Sequence, residues 1–263
     1  MTDVEQLPID AIGLPALEAR AREDLELLCM PGKSWVPQKY GVRDVVIIGG
    51  GMCGMVAWLA LASGGMSNIR VLDRAEKGFE GPWLSYARME TLRSPKVLTG
   101  PSYGHGALTF QAWYRAQFGM QGWDALDKIP RFMWMKYLQW YRHVLNIPIE
   151  NGISVDHVKP EGDLLRLTIS GADTDTILTR KLVFATGRDG TGGPNIPTFI
   201  KDLPGHLWAH STDDIDFVKL KGKRVAVIGV GASAVDNSAE ALEYGAAEVR
   251  HLVRRREMPT INK

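Results

Sequence analysis

Two stretches of the chain carry the same order of apolar and small residues. Val45–Ile48 is four β-branched residues in a row, followed by Gly-Gly-Gly-Met-Cys-Gly and an apolar, alanine-containing run, Met55–Ala62, that stops at Ser63-Gly64-Gly65. An all-apolar run of that length predicts a parallel strand buried on both faces. The glycines predict a tight turn and the following run a helix. Ile69–Leu72 predicts the next buried strand and completes a β-α-β unit. The order recurs at Val225–Ile228 (strand), Ser233–Tyr244 (helix) and Glu248–Val253 (strand). Between the two units, residues 153–184 alternate in short runs separated by Glu-Gly-Asp and Gly-Ala-Asp-Thr-Asp. That pattern predicts a three-stranded β-meander whose last strand ends in Ala185-Thr186-Gly187.

Three further segments have helical periodicity. Residues 14–30 end at Pro31-Gly32 and predict an N-terminal helical extension that packs on the main domain. Phe110–Phe118 and Pro130–Leu145 predict two more helices, the second with an aromatic face of Trp134, Tyr137, Trp140 and Tyr141 that reads as core packing. Residues 77–130 are rich in Gly, Pro and Trp, and residues 188–206 read as a connector. The expected organisation is a helical extension over 1–40, an α/β domain with the meander over 41–206, and an incomplete second α/β domain over 207–263.

Composition narrows the partners. A formal net charge of +1 on 263 residues points to neither nucleic acid nor an acidic membrane surface. The two cysteines, Cys29 and Cys53, form no C-x-x-C and no disulfide framework, which fits a cytoplasmic location. The N-terminus lacks the apolar core of a signal peptide. Val45–Met66 is uncharged and long enough to span a bilayer, but its β-branched start and glycine turn favour strand, turn and helix over a membrane helix. No membrane segment and no metal site are expected.

The glycine turns carry the chemistry. Gly49, Gly51 and Gly54, with Met52 and Cys53 between them, form G-x-G-x-x-G between a strand and a helix. The first glycine permits the tight turn, the second lets the backbone approach a pyrophosphate, and the third lets helix and strand pack closely. Asp73 closes the second strand, placed to accept hydrogen bonds from a ribose diol. Gly229, Gly231 and Ala234 form the G-x-G-x-x-A variant, with Ser233 inside it. Where the first unit reads Leu72-Asp73-Arg74, the second reads Leu252-Val253 and then Arg254, Arg255 and Arg256. Arginines pair with a 2′-phosphate that a carboxylate would repel, so the second turn is expected to prefer NADPH to NADH. Two turns imply two dinucleotides and electron transfer between them, with FAD as the natural occupant of the first.

In this order, "VIIGGGMCG", "VLDRAE", the meander into "LVFATG" and "KGKRVAVIGVGASAVD" resemble the two-dinucleotide flavoproteins. Within that superfamily the likeness is to the flavin-containing monooxygenases and their relatives, the Baeyer–Villiger monooxygenases and the lysine and ornithine N-hydroxylases. The resemblance implies a Rossmann-like FAD-binding domain with a β-meander and the start of a Rossmann-like NADPH-binding domain. It assigns Gly49, Gly51, Met52, Cys53, Gly54, Asp73 and Arg74 to FAD, and Ala185, Thr186 and Gly187 to a segment beside the flavin. Trp83 in "EGPW" resembles the tryptophan next to the flavin, and Val158 the position whose backbone meets the adenine. Gly229, Gly231, Ser233, Ala234, Arg254 and Arg255 map to NADPH.

The implied reaction is NADPH reduction of FAD, then oxygenation by a flavin hydroperoxide of an amine nitrogen, a sulfur or a carbonyl, with O2 and a small molecule as substrates. Two other readings stand beside it: a flavin reductase that oxygenates nothing, and an inert FAD-holding chain. The segment "LPGHLWAHSTDD" departs from the family's F-x-G-x-x-x-H pattern, which counts most against Baeyer–Villiger chemistry. His210 in it reads equally as a residue near the nicotinamide path or as structural. Arg93 and Lys96 read either as partners of anionic flavin or as surface charges. Family members continue past this point, so the sequence reads as the N-terminal portion of a longer protein. Its unfinished second sheet is expected to be covered by a second copy or a partner chain.

Overall fold

In the computed structural model, residues 8, 10–187, 190, 193–254 and 256 are described. The chain divides into two compact units, Met1–Trp83 with Thr91–Thr191, and Leu84–Glu90 with Gly192–Lys263. The division falls inside the Gly/Pro-rich connector, before the expected 206/207 border, and segment 84–90 goes with the second unit.

The first unit contains helix α1 (Leu14–Leu27), strand β1 (Val42–Ile48), helix α2 (Met52–Ser63), strand β2 (Ile69–Asp73) and helices α3 (Phe110–Ala125) and α4 (Arg131–Val144). Strands β3 (Ile149–Asn151), β4 (Ser154–Glu161), β5 (Leu164–Ser170) and β6 (Thr176–Phe184) follow. The sheet runs β3-β2-β1-β6-β5-β4. β1 pairs in parallel with β2 and β6, and β2 with β3. β6 serves two partners: its first half, Thr176–Thr179, is antiparallel to β5, and Leu178–Phe184 is parallel to β1. The meander thereby folds over one face of the parallel strands. Successive side chains of β1 point to opposite faces. Val45 and Ile47 join a core with Met55, Leu59 and the aromatic residues of α3 and α4, while Val46 joins Leu72, Ile153, Leu167 and Ile177 under the meander. Burial on both faces is what the uninterrupted apolar run predicted.

The aromatic face of α4 is core. Trp134, Tyr137, Trp140 and Tyr141 are all buried, and Phe110 meets Tyr137 edge-on at 5.5 Å. The phenols of Tyr137 and Tyr141 donate to the carbonyls of Leu108 and Pro101, each at 2.6 Å. Leu17 and Ala21 of α1 are buried in the same core, so the N-terminal extension is part of this unit. The helix expected to end at Phe118 instead breaks at Gly119 (φ 66°) and resumes to Ala125. Asp10 caps the resumed turn, its carboxylate accepting from the Met120 N–H at 2.5 Å.

A buried polar cluster ties the loop after β2 to α4 and β3. Glu80 and Arg142 pair with side chains only 5% and 14% exposed. Arg142 also donates to the carbonyl of Ile149 (2.8 Å) and to Asn151 Oδ1 (3.0 Å). Asn151 Nδ2 donates to Glu80 Oε1 (2.8 Å) and to the carbonyl of Ala75 (3.0 Å). The second carboxylate oxygen of Glu80 accepts from Gly78 N–H at 2.9 Å.

The second unit contains the short helix α5 (Thr198–Lys201), strand β7 (Arg224–Ile228), helix α6 (Ala232–Glu243) and strand β8 (Glu248–Leu252). β7 and β8 are parallel, with Ile228 opposite Leu252. Phe217, Ala241 and Ala246 form its small core, and Ile228 and Leu252 are 44% and 55% exposed. From segment 84–90, Arg88 stacks over Phe217 at 5.3 Å and donates to the carbonyl of Asp213 at 3.0 Å. Among the described residues no helix is long and apolar enough to cross a membrane, and Val45–Met66 is divided between β1, the turn and α2.

Arg142→Met leaves the Glu80 carboxylate buried without its guanidinium, and the expected loss is about 3–5 kcal/mol in urea unfolding. Replacing both residues by methionine is expected to recover most of it. Burial holds the phenols of Tyr137 and Tyr141 above the usual 10.0, with Tyr141 adding repulsion at Tyr137. Above that pH the unfolded chain loses protons that the folded chain keeps, so stability falls as pH rises. Urea titrations at about pH 9 and about pH 11 are expected to show the decline, and Tyr141→Phe is expected to reduce it.

Candidate functional site

β1 delivers the chain to the first turn already tied on two sides. Gly49 N–H donates to the carbonyl of Leu72 (2.7 Å) and Ala185 N–H to that of Ile48 (2.8 Å). Gly49 has φ 104°, and a Cβ there would stand 2.4 Å from the Ala185 carbonyl oxygen. A Cβ on Gly54 would stand 1.8 Å from the Gly49 carbonyl oxygen, so the third glycine is required by helix–strand packing. Gly51 differs. Its φ of −71° is open to any residue, and a Cβ would find nothing closer than Gly81 N and Cα at 3.8 Å. No protein atom demands glycine there, which fits a position kept bare for a ligand. Gly51 is the N-cap of α2, has no side-chain cap and is followed by no acidic residue in the first turn. The helix N-terminus thus presents its N–H groups and partial positive charge to an anion.

Asp73 is buried at the end of β2, with one carboxylate oxygen on the glycine turn and the other on the loop that follows β2. Oδ2 accepts from Gly50 N–H at 2.7 Å and Oδ1 from Ala75 N–H at 2.8 Å. Each oxygen keeps a second lone pair for a hydroxyl donor. Ile153 N–H donates to the Asp73 carbonyl at 3.0 Å, which starts the meander beside this residue. Val158 lies in the outer meander strand β4, opposite Leu167 and partly buried on the core beneath. Trp83 packs edge-on against Trp134 at 6.2 Å, and its carbonyl accepts from Arg131 at 2.5 Å. Met52 opens α2, half-buried, and Cys53 and Arg74 are exposed. Thr186 is half-buried after Ala185, and Gly187 (φ 76°) is exposed. Within this unit the structure brings together Gly49, Gly51, Gly54, Asp73 and Ala185, with Gly81 of the Trp83 loop alongside.

The second turn repeats the first. Gly229 (φ 115°) donates to the carbonyl of Leu252 at 3.0 Å, and Gly231 is the uncapped N-cap of α6. A Cβ on Gly231 would meet nothing within 4 Å. Ser233 and Ala234 are half-buried in the first turn of α6, and Arg254 is exposed beyond β8. Arg255 lies outside the described residues.

Sequence reasoning missed Gly50, where a Cβ would stand 2.5 Å from Ile149 Cγ2, and the Glu80–Arg142–Asn151 cluster behind the Trp83 loop. The three-residue β3 carries no periodic signal, and no spacing announces a pairing between a loop and a helix 62 residues away. Lys96 is engaged locally. Its ammonium donates to the carbonyls of Trp123 (2.6 Å) and Leu126 (2.5 Å), closing the C-terminus of α3. His210 is engaged locally: Nδ1 meets Thr212 Oγ1 at 2.7 Å, and its backbone N–H donates to Asp213 at 2.7 Å.

The two glycines of the first turn are expected to separate fold from binding. Gly51→Ala leaves the unfolding free energy within about 1 kcal/mol of the unsubstituted chain, yet its methyl occupies the approach of a phosphate and FAD retention falls. Gly54→Ala lowers both. Equal FAD retention in Gly51→Ala, read by absorbance after gel filtration, would rule out the phosphate role of this turn.

The geometry finds relatives. Residues 46–263 match the family described as pyridine nucleotide-disulphide oxidoreductase. A FAD-dependent urate hydroxylase of Xanthomonas campestris pv. campestris is 42% identical over 259 residues, covering 95% of this chain and 54% of that protein. A mutant of a flavin monooxygenase from Stenotrophomonas maltophilia superimposes with a TM-score of 0.62 at 26% identity, covering 81% of this chain and 58% of that one. The FAD-bound cadaverine monooxygenase of Erwinia amylovora gives 0.67 at 17% identity, covering 84% and 54%, a likeness of fold alone. The chain spans about half the length of the curated urate hydroxylase it matches. Cys29 and Cys53 are both free and exposed. From its first strand to its last residue, through both glycine turns and the meander between them, the chain belongs to the pyridine nucleotide-disulphide oxidoreductase family.

Proposed function

We propose that the chain is the dinucleotide-binding part of an FAD- and NADPH-dependent monooxygenase, and that the substrate is urate or a similarly small oxidised purine. The observation that carries this reading is the pair of bare, uncapped helix N-termini at Gly51 and Gly231, in a chain 42% identical to a FAD-dependent urate hydroxylase. A purine substrate departs from the amine, sulfur and carbonyl substrates that the resemblance implied. FAD bound at the first turn supplies the hydride acceptor and the oxygen chemistry. The chain's own residues bind and orient. Gly51 and the first N–H groups of α2 receive the pyrophosphate, and the free lone pairs of Asp73 receive the ribose hydroxyls. Ala185–Gly187 and the Trp83 loop flank the flavin end, and Val158 the adenine end. Gly229, Gly231, Ser233 and Ala234 receive the pyrophosphate of NADPH, and Arg254 and Arg255 its 2′-phosphate.

The test is an anaerobic NADPH titration of the FAD-loaded chain, followed by admission of air with urate present. The expected result is bleaching of the flavin band by NADPH at lower concentrations than by NADH, then oxygen uptake matched by loss of urate. Bleaching and reoxidation with urate untouched would replace the monooxygenase with a flavin reductase. A band that survives NADPH would make the chain an FAD-holding piece only.

A further inference from the structure

The two glycine turns face one problem and solve it differently. In both, the carbonyl of the first glycine lies where the strand gives way to the helix. In the first unit the helix carries glycine at its third position, and Gly54 packs so closely on the Gly49 carbonyl that a Cβ would overlap it at 1.8 Å. In the second unit that position is Ala234, whose Cβ excludes the same approach. The Gly229 carbonyl is met instead by His251 Nδ1 at 2.9 Å. A carbonyl only accepts, so Nδ1 carries the hydrogen. His251 Nε2 lies 2.9 Å from Ser238 Oγ, which is buried and 2.7 Å from the carbonyl of Ala234 itself. Strand register makes the comparison direct: Ile48 pairs with Leu72 and Ile228 with Leu252, so His251 stands where the first unit has Val71 and Ser238 where it has Trp58.

We infer that His251, held by Ser238, is a positioning residue for the second dinucleotide turn and compensates for alanine at its third position. This rests on the reading of that turn as the NADPH site. By fixing the Gly229 carbonyl toward β8, the imidazole sets the Gly229–Val230 peptide plane, and the Val230 N–H of a trans peptide points the opposite way. The turn is then pre-shaped before the nucleotide arrives, which lowers the ordering cost of binding. Without the imidazole the half-buried carbonyl loses its partner, since Ala234 prevents the helix from closing on it.

The experiment is a cycle of His251→Val, Ala234→Gly and the double variant in the FAD-loaded chain. It follows the NADPH concentration for half-bleaching, the FAD content and the unfolding midpoint. His251→Val is expected to raise half-saturation about tenfold with FAD content unchanged. The double variant recreates the first turn's Gly–Val arrangement and is expected to return within about threefold of the unsubstituted chain. A double variant no better than His251→Val would overturn the compensation, and unchanged half-saturation in His251→Val would reduce the residue to packing. If NADPH fails to bleach the unsubstituted chain, the reading of the turn as an NADPH site fails. The brace is then decided without nucleotide, by the nitrogen-15 spectrum of the His251 ring and the coupling of the two substitutions in unfolding. A hydrogen on Nδ1 with favourable coupling upholds it, and a hydrogen on Nε2 alone, or simple additivity, overturns it.

Discussion

How closely a helix sits on the strand before it shapes both glycine turns. In the first unit the gap is set by Gly54 against the Gly49 carbonyl, with no room for a methyl group. That contact fixes where α2 begins, and so where its unpaired N–H groups point. The Gly49–Ala185 approach adds a second wall, because the strand that ends the meander must come within backbone contact of the turn. The N-terminus of α2, the segment from Ala185 and the end of the meander are thereby placed by contacts among backbone atoms. Backbone contacts of this kind tolerate few substitutions, and the site inherits their rigidity.

Around that centre the first unit buries one linked polar cluster. Glu80, Arg142 and Asn151 engage one another and the backbone on either side, so the loop from Ala75 to Trp83 is held from α4 and β3. Gly81 of that loop lies beside Gly51. A loop facing a ligand position gains from such anchoring, because a ligand bound by mobile segments must order them first. Asp73 does similar work from the other side, joining the turn to the loop through two backbone N–H groups.

The second unit repeats the turn with different chemistry behind it. A histidine and a serine stand at the positions of valine and tryptophan in the first, and the acidic residue that closes the second strand there is replaced by valine and then arginines. One backbone solution thus recurs with residues of opposite charge at the end of the second strand.

The sequence by itself determined the β-α-β units, the meander, the core face of α4 and the two turns. Each of these is written in a local period or in glycines whose conformational freedom the turn requires. Gly49 was legible for that reason, and Gly54 and Asp73 through their spacing from it. Only the tertiary structure decided the rest. β3 is too short to show a period, and Glu80 and Arg142 find each other across 62 residues through a packing that no spacing encodes. Lys96 reads as a loop charge until the end of α3 arrives beside it with open carbonyls. His251 reads as one residue of a strand until register and helix place the Gly229 carbonyl and Ser238 on its two nitrogens. Local patterns specify elements because neighbours along the chain share a face. Partners brought together by folding share only space, and their pairing becomes visible once the sheet order and helix docking are fixed.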